Sequence, residues 1–493
     1  MQTPAPAVTR PAPPRRGSKL LNGFLILLGL AVIGFAIYTE VRSSRLQSRY
    51  FSSAVRDMKF VLEPGPSASV RFPQDGPYDH RLGYSELPVF LKRLDARGYE
   101  IDAQARVTRP LGDLIEAGYA PPYPEKSQAG LQVLDCRDET LFSFAYPERA
   151  YRDFAAIPAP VAQTLLFIEN RELLDDTFPT RNPAIEWTRL GRAVGAQFMK
   201  IVDPDYDAPG GSTLATQIEK YRHSPLGVTG SISDKLRQMY SASLRAYSQG
   251  PDTSAQRQRI VLEYLNTVPL AAAPEYGEVT GLGDGLRAWY GADFDVVNKL
   301  LAQSPSSDSA VLKEQARAYR QVLSLLIAQR RPTHFLGPGR EQLATLTDSY
   351  LRLTAASGII TDALRDAALE TSIEFRNDPG APRAQVRSWK GANAIRNRLV
   401  TTLQTPRLYD VDRLDVKVTS SLDADMQDTV TGMLRKLQDR TYVKSANLVQ
   451  ERLLGAADPA AVLYTFTLFE RGKDANYVRV QTDNSTQPFD TNE

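Results

Sequence analysis

The hydrophobic pattern divides the chain into stretches of different texture. Residues 20–39 are mostly apolar and carry no charge, and about 20 such residues suffice for a helix to cross a bilayer. They predict an uncleaved transmembrane helix. A cleaved signal peptide is the rival reading, but Tyr38-Thr39-Glu40 makes a poor cleavage site. In 40–150 the pattern is mixed. Leu87, Phe90, Leu91 and Leu94 form a helical stripe within Ser85–Gly98, while 131–134 and 140–144 read as two short strands around an Asp-Cys-Arg-Asp-Glu turn. Residues 151–375 are mainly helical. Pro158 and Pro160 open a helix with Val161, Leu165 and Ile168 on one stripe. More helices are predicted over 234–248, 254–266, 320–330 and 340–375, the last with a stop at Gly358. Residues 376–413 are polar and mixed and read as a linker. From Leu414 the period changes to two. A strand over 415–423, a helix over 424–438 and a hairpin from 461–470 and 477–482 make a small α+β C-terminal region. The predicted fold class is mainly α.

Composition narrows this little. The 493 residues leave room for two or three domains, and a net charge of +2 argues against a nucleic-acid partner. Cys136 is the only cysteine, so no internal disulfide framework exists, and His80, His223 and His334 are scattered. No metal-ligand set is legible in that arrangement. Residues 1–19, rich in proline and alanine with Arg10, Arg15, Arg16 and Lys19 and no acid, read as a disordered tail. Arg42, Arg45 and Arg49 also follow the apolar span, so charge bias favours a cytoplasmic N-terminus only narrowly.

One stretch concentrates candidate chemistry: Pro209-Gly210-Gly211-Ser212-Thr213-Leu214-Ala215-Thr216-Gln217-Ile218-Glu219-Lys220. Two glycines break the chain, and Ser212 or Thr213 offers an oxygen to cap a new helix. Thr213, Gln217 and Lys220 then share a face. Glycines let backbone N–H groups approach a ligand, a helix N-terminus attracts anions, and a lysine two turns along adds a full charge. The stretch reads as a cradle for a phosphate-bearing substrate, against the plainer reading of a glycine turn before a surface helix.

Its neighbours sharpen the choice. Upstream lies Leu165-Leu166-Phe167-Ile168-Glu169-Asn170-Arg171. Downstream come Ser233-Asp234-Lys235-Leu236-Arg237-Gln238, then Ile260-Val261-Leu262-Glu263-Tyr264-Leu265-Asn266, then Gly283-Asp284-Gly285-Leu286-Arg287-Ala288-Trp289-Tyr290-Gly291. In this order, residues 150–300 resemble the five motifs of the family 51 glycosyltransferases, the peptidoglycan transglycosylase domains of class A penicillin-binding proteins and their monofunctional relatives. The resemblance implies a lysozyme-like helical glycosyltransferase domain over 151–375, with an apolar patch that dips into the bilayer; Ala196–Val202 is the stretch that suits that patch. Residues 414–493 resemble the opening of a transpeptidase domain but contain neither Ser-x-x-Lys nor Lys-Thr-Gly, which leaves a truncated or a vestigial domain.

The resemblance assigns roles. Glu169 takes the place of the catalytic base, which must remove a proton from the acceptor sugar hydroxyl. Gly210, Gly211, Ser212, Thr213, Gln217 and Lys220 take the substrate-binding positions of the second motif, and Lys235 that of the third. The third motif also carries a second glutamate, where this chain has Gln238; a glutamine can neither accept the proton nor hold a divalent ion by charge. Asp234 and Asn170 depart from the motifs as well. Glu263, Tyr264, Asn266, Asp284 and Arg287 read as structural. The implied cofactor is a divalent cation, magnesium or manganese, and the implied partners are lipid-linked precursor, glycan strand, membrane and other cell-wall synthesis proteins. The implied location is the cytoplasmic (inner) membrane, single-pass, with the catalytic domain on its outer or periplasmic side. Gln238, Asp234 and Asn170 support the alternative, a non-catalytic relative that binds precursor or glycan and scaffolds cell-wall synthesis. A glycan hydrolase would need two carboxylates flanking the bond, and the motifs place only Glu169.

Overall fold

The computed structural model describes residues 16–74, 76–187, 189, 191, 211–376, 380, 384–449 and 457–485. Residues 1–15 of the predicted tail, Gly210 and the proposed bilayer patch 196–202 lie outside them. The fold is mainly α, with small sheets at its margins.

The apolar run forms the middle and greater part of the helix Arg16–Ser43. Its Gly23–Ser43 portion has a mean hydropathy of 2.2, and its most apolar stretch is unburied, so it is long and apolar enough to cross a membrane. A break at Ser44, in the left-handed region, starts the helix Arg45–Arg56. The Glu40 carboxylate accepts the backbone N–H groups of Leu46 (2.8 Å) and Gln47 (3.1 Å), satisfying donors that a helix start leaves orphaned. Phe51 and Val55 of this second helix pack against Leu111, Leu114, Leu244 and Tyr247. The apolar helix is thereby joined firmly to the body behind it. Two further contacts reinforce the joint. The Thr180 hydroxyl donates to the Ser43 carbonyl (2.6 Å), and the Asn182 amide donates to Gln47 Oε1 (3.0 Å).

The main core is helical. The helix Ser309–Ala328 runs through it, burying Ala316, Tyr319, Val322, Leu323 and Leu326. It packs on Ala159–Glu169, Gly281–Tyr290, Phe294–Ala302, Arg340–Ala356 and Asp362–Leu369. A buried bond between Thr164 and Tyr319 hydroxyls (2.8 Å) ties it to Ala159–Glu169. Ser254–Thr267 and Leu214–His223 complete this layer. The hairpin Pro269–Ala273 with Gly277–Thr280, absent from the sequence reading, leads into Gly281. That residue has φ +79°, and a Cβ there would lie 2.4 Å from the Asn266 carbonyl oxygen, so only glycine fits. The predicted stop at Gly358 also appears, at φ +72°.

The strands 131–134 and 140–143 pair antiparallel as the pattern predicts. Their outer partners come from far along the chain. Leu131–Leu134 pairs in parallel with Val416–Thr419, and Thr140–Ser143 pairs with Gln385–Val386. The lead-in region and the C-terminal region therefore share one four-stranded sheet. The span 376–413, expected as a linker, is a correction: it carries the helices Trp389–Leu403 and Leu408–Arg413. Ala392 and Val411 join Leu131, Val133, Leu141 and Phe142 in a second core. Its polarity misled because its charges are satisfied internally; buried Arg396 donates to both Asp412 oxygens and to Asn393.

Candidate active site

Glu169 is the last residue of its helix and is 8 % exposed. Its carboxylate meets donors from two other helices. Gln217 Nε2 donates to Oε2 (3.0 Å), Gln329 Nε2 donates to Oε1 (2.8 Å), and Arg330 Nε lies 3.3 Å from Oε1. The buried Tyr264 hydroxyl faces both amide oxygens, Gln217 Oε1 at 3.1 Å and Gln329 Oε1 at 2.7 Å. Burial raises the Tyr264 pKa well above the ordinary value, with the Glu169 charge adding to it, so the phenol stays a neutral donor. The result is a closed ring, Glu169–Gln217–Tyr264–Gln329. It fixes the two amide orientations, because each nitrogen faces the carboxylate and each oxygen the phenol. Arg189 also donates to the Glu169 carbonyl and, at 3.4 Å, to that of Ser212.

The cradle helix runs from Leu214 to His223. Thr213 is its N-cap, with the Thr213 hydroxyl accepting from the Thr216 N–H (3.3 Å) and the Thr216 hydroxyl accepting from the Thr213 N–H (2.9 Å). At 1 % exposure, the Thr213 side chain serves the cap. Gly211 and Ser212 are half-buried just before it. Gln217 and Lys220 lie on the face toward Glu169. Lys220 has no ion pair among the described residues; burial pushes its ammonium below the ordinary lysine value, and the Glu169 charge pulls it partly back.

The opposite face of the same helix carries a different cluster. Glu125 accepts from Arg222 and Arg245 and pairs with His223, each at 2.9 Å. Arg222 also pairs with Glu263 (3.0 Å), Arg245 with Glu219 (2.8 Å), and His223 with Asp79 (3.0 Å). Burial alone would lower the His223 pKa, but the Glu125 charge and the bonds to Asp79 and Glu125 raise it to about 10. The same cations hold Glu125 well below the usual carboxylate range against its burial. The sequence reading saw none of this cluster.

Gln238 and Lys235 sit on the next helix, Ile232–Ala246. Gln238 is buried, donating to the Ser224 hydroxyl (2.8 Å) and bonding to Thr229 (3.0 Å). None of its described bonds reaches Glu169. Lys235 is half-buried without a side-chain partner among the described residues. Asn266 pairs with the N–H and carbonyl of Tyr151, and Asp284 with the N–H groups of Glu148 and Arg149. Both therefore hold backbone, in keeping with their structural reading.

Residues 137–331 match the family model described as Transglycosylase. No curated protein matches the chain. The matched region contains the whole ring around Glu169, while Asp79 and Glu125 fall before it. Gln329 and Arg330, which the sequence reading passed over as the end of a buried helix, lie at its final turn. Their signal was the polar triplet Gln329-Arg330-Arg331 directly after an apolar run. Tyr264, read as structural, organises the ring.

No group of three or more His, Cys, Asp or Glu side chains that could hold a metal occurs among the described residues. Around Glu169 the described set is one carboxylate, two amides whose nitrogens face it, the cationic side chains of Lys220 and Arg330, and Arg189 on the Glu169 carbonyl. That set does not suit a divalent cation, which binds several oxygen ligands. The expected magnesium or manganese does not fit the described residues around Glu169.

Proposed function

We propose that the chain is a membrane-anchored peptidoglycan glycosyltransferase that polymerises a lipid-linked disaccharide-peptide precursor into glycan strands. The observation that carries this reading is the Glu169 ring with Lys220 beside it. The transglycosylase domain supports glycan polymerisation in general and a glycan or lipid-linked substrate. In the proposed step, the acceptor hydroxyl oxygen bonds to the anomeric carbon of the donor sugar. The bond from that carbon to the pyrophosphate oxygen breaks, and its electron pair leaves with the pyrophosphate. The hydroxyl proton passes to Glu169. Oε1 already takes two donors and Oε2 only one, so Oε2 has the lone pair for that proton. The amides of Gln217 and Gln329 hold the carboxylate in place, which general-base catalysis requires. Gln217 and Lys220 of the cradle helix face the phosphate-bearing part of the substrate.

The contacts of Thr180 and Asn182 with Ser43 and Gln47 support a site working next to a membrane. They tie the loop after Glu169 to the end of the apolar helix. The reading places residues 40–493 outside the inner membrane, on the periplasmic side, where protease added to spheroplasts would digest them. A second reading, a non-catalytic relative that scaffolds cell-wall synthesis, draws on Gln238, which stands where the family's second acid is expected. Incubating the detergent-purified protein with labelled lipid-linked precursor separates the two. Glycan polymer is expected; bound precursor without polymer would leave the scaffold.

A further inference from the structure

The misfit between the Glu169 surroundings and a divalent ion raises the question of what meets the charge of the departing pyrophosphate. Two side-chain cations are placed to do so. Arg330 reaches the site from the residue after Gln329. Its Nε faces Glu169 Oε1, one terminal nitrogen donates to the Tyr350 hydroxyl (3.2 Å), and the other donates to the Ile168 carbonyl (3.4 Å). A guanidinium has five N–H donors, so these three bonds leave two without a partner among the described residues. The side chain is 45 % exposed, and those donors can reach a ligand without dismantling the bonds that orient them. The Tyr350 ring centroid lies 5.8 Å from the guanidinium carbon. Lys220 approaches from the cradle helix, partly desolvated and without an ion-pair partner among the described residues. None of its three donors bonds to a described residue. Together the two cations outnumber the single carboxylate between them.

We propose that Arg330 and Lys220 form the pyrophosphate seat of this site, with Arg330 supplying the charge that a divalent ion would otherwise bring. Resting on the glycosyltransferase reading, the proposal adds a binding residue outside all the recognised motifs and makes anion binding independent of metal. Gln329 is then a positioning residue that holds Glu169 beside the seat. Arg330 keeps its bond to Oε1 when the anion arrives, because its free donors point elsewhere, so base and anion seat are physically linked. Fixed charges in a partly dry site need no reorganisation as negative charge develops on the leaving group.

The test measures equilibrium binding of farnesyl pyrophosphate and of inorganic pyrophosphate to the full-length protein in detergent. Each is titrated with chelator and again with magnesium, and polymer formation is followed separately. Wild type is expected to bind both probes with the same affinity in either condition. Arg330→Gln is expected to weaken both by about tenfold, the worth of a charge-assisted contact, with an unchanged Tm. Arg330→Lys should recover part of the loss, and Lys220→Gln should weaken binding to a similar extent. Wild-type binding that collapses in chelator, or Arg330→Gln binding as tightly as wild type, would overturn the proposal. Binding that follows these expectations without polymer from the precursor would uphold the seat and reject the glycosyltransferase reading.

Discussion

The two buried glutamates on either side of the Leu214–His223 helix are chemically the same group put to opposite uses. Glu125 is saturated: two arginines and a histidine close on it at 2.9 Å each. Such a carboxylate has little left to offer a substrate, and its cations have other acids to hold as well. Glu169 is met mainly by neutral amides, with one guanidinium at 3.3 Å and an ammonium nearby that has no ion-pair partner among the described residues. Burial is similar, so it does not distinguish them. What distinguishes them is whether the surrounding charges are spent on each other or left open. One helix carries both arrangements, Gln217 and Lys220 toward the open side and Glu219, Arg222 and His223 toward the closed one. The closed cluster reaches into residues before the region that matches the transglycosylase model, through Asp79 and Glu125, and fixes the helix that presents the open one.

Each side of this comparison can be broken separately, and the largest effect is expected on the open side. Glu169→Gln keeps the size of the side chain and can still bond to its neighbours, but it cannot take a proton. Polymer formation should fall by about 10²–10⁴-fold, while Tm and pyrophosphate binding stay close to wild type. A variant that retains full turnover would remove Glu169 from the chemistry.

On the closed side the loss should be one of stability instead. Glu125→Gln leaves Arg222, Arg245 and His223 without their shared counter-charge in a buried place, and breaking a buried pair in this way costs about 3–5 kcal/mol. Denaturant unfolding of the soluble part, or Tm in detergent, reads it directly. Because the cluster carries the cradle helix, binding of pyrophosphate should weaken as well. A stability like that of wild type would mean that the cluster is not the clamp its geometry suggests.

The same cluster predicts a pH dependence of definite sign. The folded pKa of His223, about 10, lies above its ordinary value of 6.5. Between these values the folded protein holds a proton that the unfolded chain has released. The stabilisation is therefore fully present below about pH 6.5, declines as pH rises, and is gone above about pH 10. Tm should fall across that window in wild type, and His223→Gln, less stable at neutral pH, should show a flatter profile. Parallel profiles would show that the proton on His223 does not support the fold.

How much of this was legible in the sequence follows the same division between local and distant causes. The Leu131–Leu134 strand, the Thr213 cap and the stop at Gly358 depend on neighbours in sequence and could be read directly. The pairing of Leu131–Leu134 with Val416–Thr419 depends on residues far apart, and polar Trp389–Leu403 looked like linker because Asp412, which neutralises Arg396, lies beyond its end. At the site, the motifs named Glu169 and Gln217, which bond to each other, and Lys220, which feels the Glu169 charge. They could not name Gln329 and Arg330, which arrive from a different helix, nor Glu125, whose three cations come from two helices about 100 residues downstream. Periodicity reports which face is buried; it is silent on which charges share that burial.

The smallest expected effect concerns Gln238, where sequence and structure pull in different directions. The family resemblance makes this position the missing second acid, so Gln238→Glu should restore a more active, magnesium-responsive site. The geometry argues otherwise. Gln238 donates to the hydroxyls of Ser224 and Thr229, and its described bonds do not extend to Glu169. Both hydroxyls can rotate to donate to a carboxylate instead, so the fold should survive at a cost of about 1 kcal/mol, a Tm shift of a few degrees. Turnover and its response to magnesium should not change, because a single added carboxylate beside two hydroxyls is still too few charged ligands for a divalent ion, and Arg330 and Lys220 already meet the anion. Comparing polymer yield for wild type and Gln238→Glu, each with chelator and with magnesium, decides the matter. A clear magnesium-dependent gain would show that the site had lacked its second acid and that the two cations are an incomplete replacement for it.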